Sequence, residues 1–275
     1  MVSELVFVKL GGSLITDKMC EATPRLPIIQ QLAQEIAAAL ARRSDLRLLL
    51  GHGSGSFGHA VGKRYRTREG VWSQADWIGF AETAAAAARL NRIVTDALLA
   101  ADVPVWSLQP SASALCRDGE LVELHVEPIQ TALEHGLVPL IYGDVALDGI
   151  RGGTIVSTEE LFSWLAHRLH PNRIVLVGEV AGVYDTDPHR NPKARLLPRL
   201  TPAELQKLTS ALDGAYGVDV TGGMGSKVRV MARLVAELPG LEVQLITGLT
   251  RGLVRDVLLN PHLPVGTHIV MGKAE

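Results

Sequence analysis

Three glycine-rich segments and a few basic side chains are the parts of this chain whose types and spacing suit chemistry. They are Gly11-Gly12-Ser13, the run GHGSGSFGH from Gly51 to His59, and TGGMGSK from Thr221 to Lys227. Glycine lets the main chain come close to an anion, and a helix N-terminus presents unpaired N–H groups and partial positive charge. The first two runs follow apolar stretches with strand character and the third opens a helical pattern. Singly, each is equally well explained as a turn at a strand end. Together, each beside a Lys or His, they suit a polyphosphate plus a second phosphate. Gly53 to Gly58 (GSGSFG) also spells GxGxxG, so a dinucleotide-binding oxidoreductase stays open. Against it, the match follows the second strand rather than the first, among His52, His59, Lys63 and Arg64. The Walker A pattern GxxxxGK[ST] is absent, which excludes the ordinary P-loop fold but not phosphoryl transfer.

Moving a phosphoryl group between two anions needs positive charge fixed between donor and acceptor. Lys9 ends an otherwise apolar strand, where a lysine is costly to bury without an anion. Lys18, in an ITDK loop, is equally consistent with a solvated lysine. Lys227 opens a helix, where the dipole disfavours a cation unless an anion binds beside it. Asp144, in YGD after a strand, stands where parallel sheets place ligand contacts, or else merely turns the chain. Asp185 and Asp187, in VYDTDP, are explained without function by a turn at Asp187-Pro188. The nine histidines lack HExxH spacing, and the two cysteines, Cys20 and Cys116, form no CxxC pair. The expectation is free thiols and no protein-held metal.

Positioning these groups requires a substantial scaffold. With 275 residues, 47% hydrophobic and 20% charged, the chain is long enough to bury roughly 70–75% of its unfolded surface. A formal charge of −2 excludes a polybasic nucleic-acid binder. No apolar run approaches the roughly 18–20 residues that cross a bilayer, and the N-terminal stretch lacks a basic leader, so the expected location is the cytoplasm. Strands are expected over 5–10, 46–50, 103–108, 138–142, 173–177 and 241–246, with helices over 28–41, 75–101, 157–169, 201–212, 225–238 and 250–259. Ser157 with Glu160, and Thr201 with Glu204, spell capping boxes. A hairpin over 114–125 turns at Asp118-Gly119. Alternating strands and helices predict an α/β fold with a mostly parallel sheet. His170-Pro171-Asn172 suggests dividing the chain into lobes over 1–170 and 171–275.

Taken in order, VKLGGSLITDK, GHGSGSFGH, RLNRIVTDALL, IYGDVALD, STEELF, VYDTDP and DVTGGMGSK resemble the amino acid kinase superfamily, and within it the isopentenyl phosphate kinases. The resemblance spans nearly the whole chain. It implies a three-layer αβα sandwich, commonly a homodimer, with the phosphate acceptor in the N-terminal lobe and ATP with Mg2+ in the C-terminal one. By matching position, Lys9 and Lys18 would neutralise the transferred group, and Lys227, with Gly222 and Gly223, would contact ATP. Gly11, Gly12, Gly53 and Gly55 would supply N–H donors. Asp144 would orient the lysines, His59 would hold the acceptor phosphate, and Asp185 and Asp187 would touch the nucleotide. Trp77 and Phe80 would line a prenyl-tail groove, although the same helix is also explained as ordinary core. Ser157-Thr158-Glu159 departs from the SGD common in the superfamily. Isopentenyl phosphate is the implied acceptor, with fosfomycin the nearest alternative.

Overall fold

Lys9 ends the strand β1 (Glu4–Leu10), which lies between β2 (Leu46–His52) and β9 (Arg173–Gly178) and is parallel to both. A computed structural model describes residues 3–186, 188, 191–210 and 224–272. Its larger sheet runs β10-β12-β11-β9-β1-β2-β6-β3, completed by β3 (Val105–Ser107), β6 (Val138–Tyr142), β10 (Arg199–Leu200), β11 (Glu242–Thr247) and β12 (Thr267–Ile269). Every pairing is parallel except β11 with β12. The helices are α1 (Gly12–Ile15), α2 (Leu26–Arg42), α3 (Gly55–Arg64), α4 (Gln74–Ala100), α5 (Glu127–Glu134), α6 (Thr158–Leu169), α7 (Pro202–Ser210), α8 (Met224–Glu237) and α9 (Leu253–Leu259).

Alternation along β1 builds the layers, since successive strand side chains point to opposite faces. Val6, Val8 and Leu10 join a core shared with α2, α4 and α9. Leu5 and Phe7 join a second core with α5, α6 and α8. The αβα sandwich follows from that two-sided burial. Lys9 shares the parity of Leu5 and Phe7, which aims it toward α6.

The helix starts are fixed locally. Both Ser73 with Asp76 at α4 and Ser157 with Glu160 at α6 form reciprocal capping boxes. At α9 the anion comes from another helix: the buried Glu35 of α2 accepts from Gly252, Val254 and Arg255 N–H at 2.7, 3.0 and 3.4 Å. Gly252, at φ 86°, caps α9, so this helix begins later than the expected residue 250.

The hairpin expected over 114–125 is present as β4 (Leu115–Arg117) and β5 (Glu120–Glu123), with Asp118 and Gly119 both at positive φ. It belongs to a second sheet, ordered β5-β4-β7-β8, with β7 (Asp144–Asp148) and β8 (Gly152–Val156). The strand expected over 138–142 ends at Tyr142, as observed for β6, and no element is expected over β7 and β8 because Gly143-Asp144 reads as a turn. Residue 170 falls between α6 and β9, and the large sheet continues across it through the β1–β9 ladder. Among the described residues, no helix is long and apolar enough to cross a membrane.

Candidate active site

The first two glycine loops meet where β1 and β2 end. Lys9 is in register with Gly51 and Leu10 with His52. Gly12 opens α1 and Gly55 opens α3, and their backbones touch: a Cβ on Gly12 would lie 2.5 Å from Gly55 N, and one on Gly55, at φ 49°, would lie 2.2 Å from Thr16 Oγ1. Thr16 locks the pair together, donating to Gly12 O at 2.7 Å and accepting from Ser56 N at 2.9 Å. The N–H groups of Gly12 and Gly55, at first helical positions, have no intrahelical acceptor. Those of Gly11 and Gly53 are already committed, to Val177 O at 2.7 Å and Leu10 O at 3.1 Å. Of the four expected donors, the structure therefore leaves Gly12 and Gly55, because the other two continue the ladder.

The α6 capping box delivers Glu159 to the same place. Lys9 Nζ donates to Glu159 Oε1 at 2.6 Å, with both side chains about 5% exposed. Burial alone would raise the Glu159 carboxyl, but the Lys9 and Lys227 charges and the Lys9 hydrogen bond hold it below its ordinary value. Lys227, in the first turn of α8, is half-buried. Its ammonium pKa is lowered by burial and then by the Lys9 charge, with a smaller contribution from Lys18 and with Glu159 opposing. His59, on α3, is exposed; partial desolvation, then the Lys227 and Lys9 charges, lower its pKa. These influences put Lys9, Lys227, His59 and Glu159 within electrostatic reach of one another, and Lys18 within reach of Lys227. Lys18 is 61% exposed and pairs with Glu179 Oε2 at 2.8 Å.

Asp144 is not the carboxylate on the lysines. It is buried at the start of β7, accepting from Val145 N at 2.8 Å and Ser111 N at 3.2 Å, and burial raises its pKa. The side chain turns toward the 3-10 turn Pro110–Ala112 rather than across to β1; the anion on Lys9 is Glu159. Asp185 Oδ1 closes its own loop, accepting from Arg195 N at 2.8 Å. Asp187, Gly222 and Gly223 lie outside the described residues. Trp77 and Phe80 stack edge to face on α4, 5.3 Å between centroids, and Phe80 packs over Gly153 of β8. Behind the second loop, His52 is fully buried: its Nδ1 donates to Gly53 O at 3.1 Å, its Nε2 lies 3.1 Å from Asn91, and burial pushes its pKa down to about 4. Cys20 and Cys116 are free thiols.

Sequence reasoning overlooked Thr16, Glu159 and Glu179. Glu159 had a signal, since the Ser157 and Glu160 box places it in the first turn of a helix that follows a strand. Glu179 had none beyond following a predicted strand.

Residues 4–246 match the Amino acid kinase family. The isopentenyl phosphate kinase of Methanothermobacter thermautotrophicus is 36% identical over 96% of this chain and 98% of its own. The chain belongs to the isopentenyl phosphate kinase branch of the amino acid kinase family. Another relative in that branch, the isopentenyl phosphate kinase of Haloferax volcanii, is 36% identical over 84% of this chain and 89% of its own. A crystallographic isopentenyl phosphate kinase superposes with a TM-score of 0.83 at 33% identity, covering 97% of this chain and all of that one. A Bacillus anthracis UMP kinase, at TM-score 0.64 and 17% identity, shares the fold of the family.

Proposed function

We propose that this kinase transfers the γ-phosphoryl group of ATP to isopentenyl phosphate, yielding isopentenyl diphosphate and ADP. The observation that carries the proposal is the buried Lys9 where the Gly12 and Gly55 loops meet, its Nζ 3.9 Å from a Cβ position on Gly53 and within electrostatic reach of Lys227 and His59, in a chain 36% identical over 96% of its length to an isopentenyl phosphate kinase. A phosphate monoester has a second pKa near roughly 6, so the acceptor is already mostly dianionic at neutral pH and needs no general base. One of its oxygens attacks the γ-phosphorus, the bond to the bridging oxygen breaks, and ADP leaves with that electron pair. Catalysis is then positioning and electrostatics.

Each group has a distinct task. Lys9, held by Glu159, and Lys18 address the equatorial oxygens of the transferred group. Lys227 faces the donor phosphates, and Gly12 and Gly55 donate N–H bonds. His59 offers a ring N–H to the acceptor phosphate. The acceptor belongs to the 1–170 lobe, with Trp77 and Phe80 against the prenyl tail, and ATP to the 171–275 lobe, with Asp185, Asp187, Gly222 and Gly223 on the nucleotide side. Mg2+ bound with ATP would offset the charge of its phosphates. Among the described residues no group of three or more His, Cys, Asp or Glu could hold a metal ion. The enzyme acts on a small molecule in the cytoplasm, without nucleic acid or membrane. It works as a homodimer, for which the outer strand β3 offers a free edge with Trp106 42% exposed.

The test is a coupled ADP-release assay with isopentenyl phosphate, dimethylallyl phosphate, fosfomycin, UMP and acetylglutamate as acceptors. Turnover of isopentenyl phosphate supports the proposal, and turnover of fosfomycin alone overturns it. His59→Ala is expected to lower kcat/KM for isopentenyl phosphate by about 100-fold, the size of a lost charge-stabilising donor. An unchanged value removes His59 from the acceptor site.

A further inference from the structure

Lys18 is the most exposed of the proposed catalytic cations, and a side chain of its length and freedom is poorly placed by its backbone alone. Its loop is closed at the base: Asp17 N donates to Thr23 O at 2.9 Å, Arg25 N to Ile15 O at 2.8 Å, and Thr16 bridges Pro24. The side chain extends from that loop to Glu179, which immediately follows β9. Glu179 is anchored at both levels. Its carbonyl accepts from Thr247 Oγ1 at 3.0 Å, and the preceding carbonyl of Gly178 accepts from Gly248 N at 2.9 Å. Its carboxylate is divided, with Oε2 on Lys18 Nζ and Oε1 on Arg25 Nη1, each at 2.8 Å. Of the three side chains Glu179 is the least exposed, at 21% against 34% for Arg25 and 61% for Lys18.

We infer that Glu179 is a positioning residue for phosphoryl transfer, holding the Lys18 ammonium at the mouth of the site, with Arg25 as the counter-charge that keeps this anchor from cancelling Lys18. The arrangement resolves a conflict. A lone carboxylate on Lys18 would neutralise the charge the transferred group requires and would repel that group. With Arg25 on the second oxygen, the trio carries a net charge of +1, and Lys18, with three N–H donors of which one goes to Glu179, keeps two for phosphate oxygens. Glu179 also couples the strand beside β1 to the loop that carries Lys18, so the end of the β-sheet and the mobile-length side chain are set in one geometry.

This inference rests on the proposed role of Lys18, and the experiment separates the two. Glu179→Gln and Glu179→Asp are measured in the wild-type background, and Glu179→Gln again in Lys18→Met, with kcat and KM for isopentenyl phosphate and thermal melting recorded for each. Glu179→Gln is expected to lower kcat about tenfold, a misplacement effect, while KM for the acceptor stays within about twofold. Glu179→Asp, which keeps the charge, is expected to recover most of the loss. In Lys18→Met, itself impaired, Glu179→Gln is expected to change kcat by less than about twofold, because the group it positions is gone. An undiminished tenfold loss in the Lys18→Met background, or no loss in the wild type, overturns the inference. If Lys18→Met alone leaves kcat unchanged, the role of Lys18 falls first and that of Glu179 with it. Should Glu179→Gln melt too low to assay, Glu179→Asp carries the same comparison, its smaller loss again vanishing without Lys18.

Discussion

Replacing Glu159 with glutamine leaves Lys9 as a nearly fully buried ammonium with an amide in place of its carboxylate. Removing one partner of a buried pair costs about 3–5 kcal/mol, because the other charge stays desolvated. Glutamine still offers an oxygen at the Glu159 Oε1 position, 2.6 Å from Lys9 Nζ, so the lower end applies, about 3 kcal/mol. The Lys227 charge nearby adds repulsion that the carboxylate had offset. In a chain of this size, 3 kcal/mol is expected to lower Tm by roughly 6–12 °C. Lys9→Met strands the carboxylate instead, at similar cost, and is expected to lower kcat by about 10²–10³, the loss seen when a preorganised charge is removed. The double variant Lys9→Met/Glu159→Gln contains neither charge and is expected to be much more stable than the two single costs predict, with a coupling of at least about 2 kcal/mol. Urea titrations of the four proteins at pH 7, with kcat measured alongside, supply the cycle. Additive single costs would refute the reasoning, since they would mean that Lys9 and Glu159 are stabilised independently.

Acid should weaken the fold through His52. Its folded pKa of about 4 lies below the ordinary 6.5, so the unfolded chain takes up the proton first; stability is intact above pH 6.5 and falls as pH drops toward 4, by about 3 kcal/mol in all. Urea titrations at pH 7 and pH 4.5 should show a smaller difference in His52→Gln than in the wild type, and equal differences would exclude His52 as the source. Gly55→Ala places a Cβ at φ 49°, 2.2 Å from Thr16 Oγ1 and 2.6 Å from Gly12 O, and is expected to cost at least about 2 kcal/mol from the left-handed backbone and the clash together. Thermal melting checks this, and KM for isopentenyl phosphate should rise, because the two glycine loops must part.

What the sequence discloses depends on how far its signals reach. Lys9 was legible because one charged residue at the end of an apolar run is a local anomaly. The α6 capping box was legible because both partners lie within three residues. The Lys9–Glu159 pair spans 150 positions and has no local pattern. Only folding reveals that the expected carboxylate, Asp144, spends its oxygens on Ser111 and Val145 while Glu159 meets the lysine. The N–H accounting of Gly11 and Gly53 has the same character: a glycine run advertises donors, but the neighbouring strand decides which remain free. Strands β7 and β8 were hidden for a simpler reason: Gly143-Asp144 reads as a turn after β6 and Asp148-Gly149 as another, leaving only a three-residue apolar run between them.

The alternation of β1 ties assembly of the reactive centre to folding itself. Sliding the strand by one position would exchange its faces, sending Lys9 into the aliphatic layer under α2 and α4 and turning Val8 and Leu10 toward Glu159. An ammonium without an anion in that layer is prohibitively expensive. Misregistered chains are therefore discriminated against by the same charge that is proposed to handle phosphate. A molecule that has reached its stable sheet has, by that fact, already aimed its lysine.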